Sequence, residues 1–338
     1  MLRVRFLWPT LVALFWAQAA TAQSVTWTLS GTPDRVQAGP TTPGTAADVW
    51  VSPNPAANSP WGIAFNRNDA KVYWTDLISR QITRASLDGS GFDVAFSYST
   101  AAPASLAIDS AGAQAYFEAG AGAASTIIKS SLDGSVQSTF ATHGSGTNAW
   151  LTIDPVGRFL YWSDTSNNLI RRANLDGTTT IQNVVDISGI TSHSARGVAL
   201  DGAGGLYWVD NGTKLMYRAD LTGYSGTPIV AGAGNQIANL STIVGATSTP
   251  NGLASDGTWL YWTEGASGLR GVYRVRTDGT NGGLLYAAGG TVASPIGVTV
   301  AVPEPGTIFL IGSLGAGVAG DWWRKRRMPA SVRPKWLP

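Results

Sequence analysis

The sequence predicts an all-β fold in which small antiparallel sheets stack side by side around an axis. Three observations carry this. An aromatic couple recurs along the chain, as Tyr73-Trp74-Thr-Asp76, Tyr116-Phe117-Glu-Ala119, Tyr161-Trp162-Ser-Asp164, Tyr207-Trp208-Val-Asp210 and Tyr261-Trp262-Thr-Glu264, its tyrosines 43, 45, 46 and 54 residues apart. Each couple follows a short apolar stretch and precedes a basic residue and a turn. The composition, with 41 glycines, 17 prolines and only 13% charged residues, suits many turns and short strands and does not suit long helices. Regular spacing of this kind in a β-rich chain marks a propeller or a solenoid.

The elements read in order as follows. Residues 1–22 have the pattern of a secretory signal peptide: Arg3 and Arg5, an apolar core from Phe6 to Trp16 broken by Pro9 and Thr10, then Ala20-Thr21-Ala22 ahead of Gln23. Residues 23–59 offer three strand candidates, Val25-Thr-Trp-Thr-Leu29, Arg35-Val-Gln37 and Asp48-Val-Trp-Val-Ser52. From 60 to 301 come the repeated units. Their apolar strands are Trp61-Gly-Ile-Ala-Phe65, Ser105-Leu-Ala-Ile-Asp109, Trp150-Leu-Thr-Ile-Asp154, Arg196-Gly-Val-Ala-Leu-Asp201 and Asn251-Gly-Leu-Ala-Ser-Asp256. After each aromatic strand stand Arg84, Lys129, Arg172, Arg218 or Arg274, followed by Asp88-Gly89, Asp133-Gly134, Asp176-Gly177, Thr222-Gly223 or Asp278-Gly279. Asp-Gly closes hairpins because glycine takes positive φ at no steric cost.

Each unit therefore holds about four strands, and such a sheet buries its two faces only against neighbouring sheets. Tyr and Trp, adjacent on one strand, point to opposite faces and serve different neighbours, each ring burying roughly 150–250 Å². A motif present five times is architecture rather than a single active site. The motif carboxylate is expected to face the basic residue of the next strand within one sheet.

These residues also carry a family resemblance. Tyr-Trp-Thr-Asp, the Gly-Ile-Ala strand before it and Ile-x-Arg-Ala-x-Leu-Asp-Gly after it resemble the YWTD repeats of the low-density lipoprotein receptor. The resemblance implies a six-bladed β-propeller with four-stranded antiparallel blades over roughly 60–301, and a flat ring face that binds other proteins. The second repeat departs from the pattern at Phe117 and Ala119, the fourth at Thr222. Pro295-Ile-Gly-Val-Thr-Val-Ala301 is a sixth copy of the apolar strand, and residues 23–59 are expected to supply the rest of its blade and close the ring. The long spacing between the fourth and fifth units reflects an insertion at 223–250, read as a surface loop.

Beyond the repeats, Pro303-Glu304-Pro305 leads into an uncharged run from Gly306 to Gly320, and Arg324-Lys325-Arg326-Arg327 follows. As a helix that run is about 23 Å long, with Gly312, Ala316 and Gly320 on one face. Segment 302–327 resembles a PEP-CTERM sorting signal, departing from it at Asp321 and in the basic tail 328–338. The resemblance implies an exosortase-type processing enzyme as partner, a transient membrane anchor and a Gram-negative source that makes extracellular polysaccharide.

For chemistry the chain offers little. It has no cysteine and contains no Gly-x-Ser-x-Gly, phosphate loop, dinucleotide fingerprint or His-Glu-x-x-His. Without the two ends, segment 23–305 holds 15 basic and 20 acidic residues, a net charge of −5 that argues against nucleic acid. His143 and His193 precede inner strands of consecutive units and would form a weak site if both faced the axis. Pro250-Asn251-Gly-Leu-Ala also resembles part of the calcium site of six-bladed lactonases, with Asn148 and Asn251 as conceivable ligands. The expectation is an exported, non-catalytic propeller that binds an extracellular protein or polysaccharide; the alternative is a calcium-dependent lactonase or esterase.

Overall fold

The computed structural model describes residues 23–54, 57–120, 125–143, 149–176, 180–288 and 293–301. The segments 1–22 and 302–338, together with Asn148 and Gly177, lie outside the described residues, and with them the signal-peptide and sorting motifs.

Strands β1 (Ser24–Ser30), β2 (Arg35–Pro40) and β3 (Ala47–Val51) open the chain. Blade 1 follows with β4 (Pro60–Asn66), β5 (Lys71–Asp76), β6 (Gln81–Ser86) and β7 (Asp93–Ser97). Blade 2 holds β8 (Pro103–Asp109), β9 (Gln114–Ala119), β10 (Ser125–Ser131) and β11 (Gln137–His143). Blade 3 is built on β12 (Leu151–Asp154), β13 (Phe159–Asp164), β14 (Leu169–Asn174) and β15 (Gln182–Asp186). Blade 4 begins with β16 (Ala195–Leu200), β17 (Gly205–Asp210) and β18 (Leu215–Asp220). The chain then forms β19 (Ile229–Val230) and β20 (Gln236–Asn239), a one-turn helix α1 (Leu240–Ile243), and blade 5 from β21 (Pro250–Ser255), β22 (Trp259–Glu264), β23 (Gly271–Arg276) and β24 (Gly283–Ala287). The last strand, β25 (Ser294–Ala301), pairs antiparallel with β1, giving the sixth sheet the order β25-β1-β2-β3. First and last strands thus share a blade, and the inner strands β4, β8, β12, β16, β21 and β25 touch their neighbours in a closed ring.

Residues 223–250 are not one open loop: among turns they carry the short strands β19 and β20 and the helix α1. Two residues of β19 pair in parallel with β15, at Val185↔Ile229 and Asp186↔Val230, adding a fifth strand to the rim of blade 3. Then β20 returns to blade 4 as its outer strand against β18. The extra spacing shields one sheet edge before completing the next sheet.

The core is divided among the six seams between blades. The Tyr of one blade meets the Trp, or Phe117, of the next: Tyr73 with Phe117, Tyr116 with Trp162, Tyr161 with Trp208, Tyr207 with Trp262, and Tyr261 with Trp27. In the sixth seam Trp74 packs on Val36 and Val49 of the closing blade. All eleven of these rings are at most 2% exposed. Alternation along one strand sends its two aromatics to opposite neighbours, which is why the couple recurs.

Backbones approach most closely at the inner strands. A Cβ on Gly62, Gly252 or Gly297 would lie 2.4–2.7 Å from a backbone atom of the adjoining inner strand. The hairpin glycines Gly89, Gly134, Gly223 and Gly279 all have positive φ, from 71° to 84°.

Candidate binding face

Strand 2 of each blade, the motif strand, runs toward one face of the ring and delivers its acid there. Asp76 accepts from the amides of Ser59 (3.2 Å), Ile78 (3.0 Å) and Ser79 (2.9 Å). Asp210 accepts from Ser194, Gly212 and Thr213 amides at 2.8–2.9 Å and from the Thr213 hydroxyl. Glu264 takes the amide of Thr249 and the Ser248 hydroxyl. The acid therefore caps the turn after its own strand and pins the chain entering its own inner strand.

The expected acid–base pairing across one sheet is mostly not formed. In the antiparallel register Asp76 lies opposite Gln81, whereas Tyr73 lies opposite Arg84. The same register sets Tyr116, Tyr161, Tyr207 and Tyr261 opposite Lys129, Arg172, Arg218 and Arg274. Arg84, Arg172 and Arg218 donate to those tyrosine hydroxyls at 3.0–3.1 Å. The hydroxyls of Tyr73, Tyr207 and Tyr261 donate in turn to Asp69, Asp201 and Asp256, which follow the inner strands. Arg84 is also locked onto Asp93 by two 2.8 Å hydrogen bonds. Asp164 does meet a base, but it is Arg171, one residue short of the position expected.

Sequence reasoning passed over the third motif position. Thr75 Oγ1 accepts from Gly62 N (2.8 Å) in its own blade and donates to Ala104 O (2.5 Å) in the next. Thr263 does the same with Gly252 and Ile296, and Thr28 with Gly297 and Trp61. One hydroxyl thus ties two inner strands together. Thr75, Ser163 and Thr263 were visible at a constant place in the repeat, which was the available signal.

At the axis the inner strands leave a cavity of ≈ 20 Å³, lined by residues of all six, including Gly62, Ser105, Gly252 and Gly297. That is room for about one water. Trp150 of blade 3 and Ile296 of the opposite, closing blade fall in one apolar cluster, with Trp61 packed against it, so these side chains meet across the axis. The Trp61 indole N–H is buried without a hydrogen-bond acceptor among the described residues.

Beside this plug runs a polar arc. The Arg196 guanidinium donates to Asn251 Oδ1, and Asn251 Nδ2 donates to Pro295 O (3.4 Å), linking blades 4, 5 and 6. Arg196 is half-buried and forms no ion pair among the described residues; burial holds its pKa below the ordinary value, with Glu264 opposing the shift. Lys214, on the turn after Asp210, is lowered too, by burial. The axial end that carries the motif acids thus presents a cation that lacks a carboxylate partner among the described residues.

The two histidines do not share a site. His193 Nδ1 lies 2.5 Å from Ile190 O and Nε2 2.6 Å from Asn168 Oδ1, a local loop anchor. His143 is buried in the seam between blades 2 and 3, its Nε2 3.8 Å from Glu118 Oε1. Burial raises the Glu118 pKa to about 8, offset by the Ala149 amide and the Ser125 hydroxyl, and burial lowers that of His143. Asn251 is a poor fit to a calcium ligand, because a guanidinium already occupies its amide oxygen. No group of three or more His, Cys, Asp or Glu suited to a metal occurs among the described residues.

Comparison with known proteins agrees with this architecture. Residues 70–110 match the family Low-density lipoprotein receptor repeat class B. A chain from the crystal structure of a nidogen/laminin complex superposes with a TM-score of 0.66 at 21% identity, covering 82% of this chain and 98% of that one. TolB from Acinetobacter baumannii gives 0.55 at 13% identity, over 84% and 67%. A gluconolactonase from Xanthomonas campestris gives 0.52 at 18% identity, over 70% and 78%. The chain is a six-bladed β-propeller in which residues 70–110 match the low-density lipoprotein receptor repeat class B.

Proposed function

We propose that this chain is an exported, non-catalytic propeller that binds a protein partner outside the cell through the axial face bearing Arg196, Asn251 and Trp61. One observation carries the reading: a half-buried guanidinium without a carboxylate partner among the described residues stands on the ring of inner strands, whose central cavity of ≈ 20 Å³ has room for about one water. A partly buried arginine without a paired carboxylate is a typical anchor for a partner's acceptor groups. The likeness to a chain crystallised in a nidogen/laminin complex supports a protein rather than a polysaccharide partner. Export rests on residues 1–22, and release at the surface of a Gram-negative cell on Pro303-Glu304-Pro305, the apolar run and Arg324 to Arg327, processed by an exosortase-type enzyme.

The calcium-dependent lactonase or esterase alternative draws on the gluconolactonase likeness. It is disfavoured by the donor set, since Asn251 already hydrogen-bonds Arg196.

The test compares the full chain with Arg196→Ala in capture from the producer's matrix. Proteins retained by the native chain and lost by the variant, at an unchanged unfolding midpoint, support the reading. Identical capture by both, or lactone turnover abolished by a chelator, overturns it. Replacing residues 303–305 by alanine should leave the chain uncleaved in the producing cell; normal release would end the sorting proposal.

A further inference from the structure

Three of the six seams are tied by the motif threonine, through Thr28, Thr75 and Thr263. At the seam between blades 3 and 4 a neighbouring residue takes over, Thr165 Oγ1 donating to Ala195 O at 2.8 Å. Between blades 4 and 5, where Val209 holds the position, Arg196 reaches Asn251. The seam between blades 2 and 3 differs. Its third motif residue is Glu118, wholly buried, and facing the same gap is His143, 4% exposed. Neither carboxylate oxygen and neither ring nitrogen makes a hydrogen bond of ordinary geometry among the described residues. With only the Ala149 amide and the Ser125 hydroxyl near the carboxylate, these four poorly partnered atoms are least costly as the neutral pair.

We infer that this corner is a proton-operated latch: a proton on Glu118, beside a neutral His143, keeps the seam of blades 2 and 3 closed, and losing it lets the corner open while the threonine-tied seams stay shut.

The surroundings bear this out. Among the described residues, charged groups reach the pair from blade 3 only as Asp164 and Arg171, which neutralise each other at 2.8 Å. On blade 2 the polar groups along the same face are Ser125, Tyr116 and Lys129, and Lys129 Nζ is engaged by Leu175 O at 3.3 Å. Among the described residues no cation is therefore available to hold an ionised Glu118. His143 does not take the role, since its own burial disfavours the imidazolium, so the proton resides on the carboxyl. Further along the seam the Ser105–Leu151 hydrogen bond (2.9 Å) and the bidentate Arg158–Asp109 pair (2.7 Å) tie blades 2 and 3 together away from the corner.

Hydrogen–deuterium exchange of the full chain at pH 6.5 and 8.5, corrected for intrinsic exchange, tests the latch. Opening of segments 114–120 and 149–154 should rise about tenfold, while 71–76 and 259–264 change by less than about twofold. Glu118→Thr, which installs the tether used elsewhere, should abolish the step. His143→Asn provides a second arm: it keeps Glu118, so the step should persist. A native chain whose corner exchanges independently of pH overturns the inference, as does a step that survives in Glu118→Thr.

Discussion

At the residue scale the seam at Glu118 also predicts how the whole protein responds to pH. The folded carboxyl titrates near 8 against 4.5 for an ordinary glutamate, so its stabilisation is complete below 4.5 and is lost as pH rises through about 8. His143 is lowered from 6.5, so its contribution is lost as pH falls below that value. Between 4.5 and 6.5 the folded pair keeps its proton on Glu118 while the unfolded pair carries one on His143, so the two slopes oppose each other. From 6.5 to 8 the folded state alone keeps it, so unfolding free energy falls by about 2 kcal/mol. Urea melts across that range measure the fall, which should vanish in Glu118→Gln. Thr263→Val removes a tether without changing volume much and strands the Gly252 amide and the Ile296 carbonyl, at a cost of about 1–3 kcal/mol. Equal denaturation midpoints for Thr263→Val and the native chain would show that this tether is idle.

At the scale of elements, the motif acid is a turn cap that also anchors the incoming strand. Asp210→Ala releases the amides of Ser194, Gly212 and Thr213 together, and we expect a loss of about 2 kcal/mol with faster exchange at residues 193–196 and 211–214. Unchanged exchange there would refute the anchor. The reading of the sequence failed at this element for a definite reason. It placed Asp76 opposite a base because both recur at fixed spacing, but spacing does not specify register. The hairpin turns immediately after Asp76, which brings Tyr73 level with Arg84. The strands themselves were legible, since alternation and turn residues are local. The pairing of β19 with β15 was not, because two residues of edge strand among Gly, Ser and Thr carry no periodic signal. Nor was the Glu118–His143 pair, whose members are 25 residues apart in sequence, on β9 and β11, and are brought together only by the strand β10 between them.

At the scale of the molecule, one packing rule repeated six times accounts for the fold. A four-stranded sheet with a Tyr on one face and a Trp on the other is unfinished on both sides. Only a closed circle of such sheets leaves no apolar face bare. That rule was legible because period and residue type coincided in five copies. The sixth copy is split between the termini: Trp27 and Thr28 of β1 stand where Trp74 and Thr75 stand in β5, with Thr26 in place of the tyrosine. The arc from Arg196 to Pro295 was hidden, being assembled from three blades.

The claim that the aromatic couples seal a closed ring is tested most directly by deleting residues 24–52 and following thermal unfolding. Those residues carry Val25, Trp27, Leu29, Val36 and Val49, each at most 5% exposed, and the partner strand of β25. The ring predicts a fall in unfolding midpoint of well over 10 °C, or loss of cooperative unfolding, because two seams lose a face at once. A truncated chain that melts cooperatively at the native temperature would contradict it.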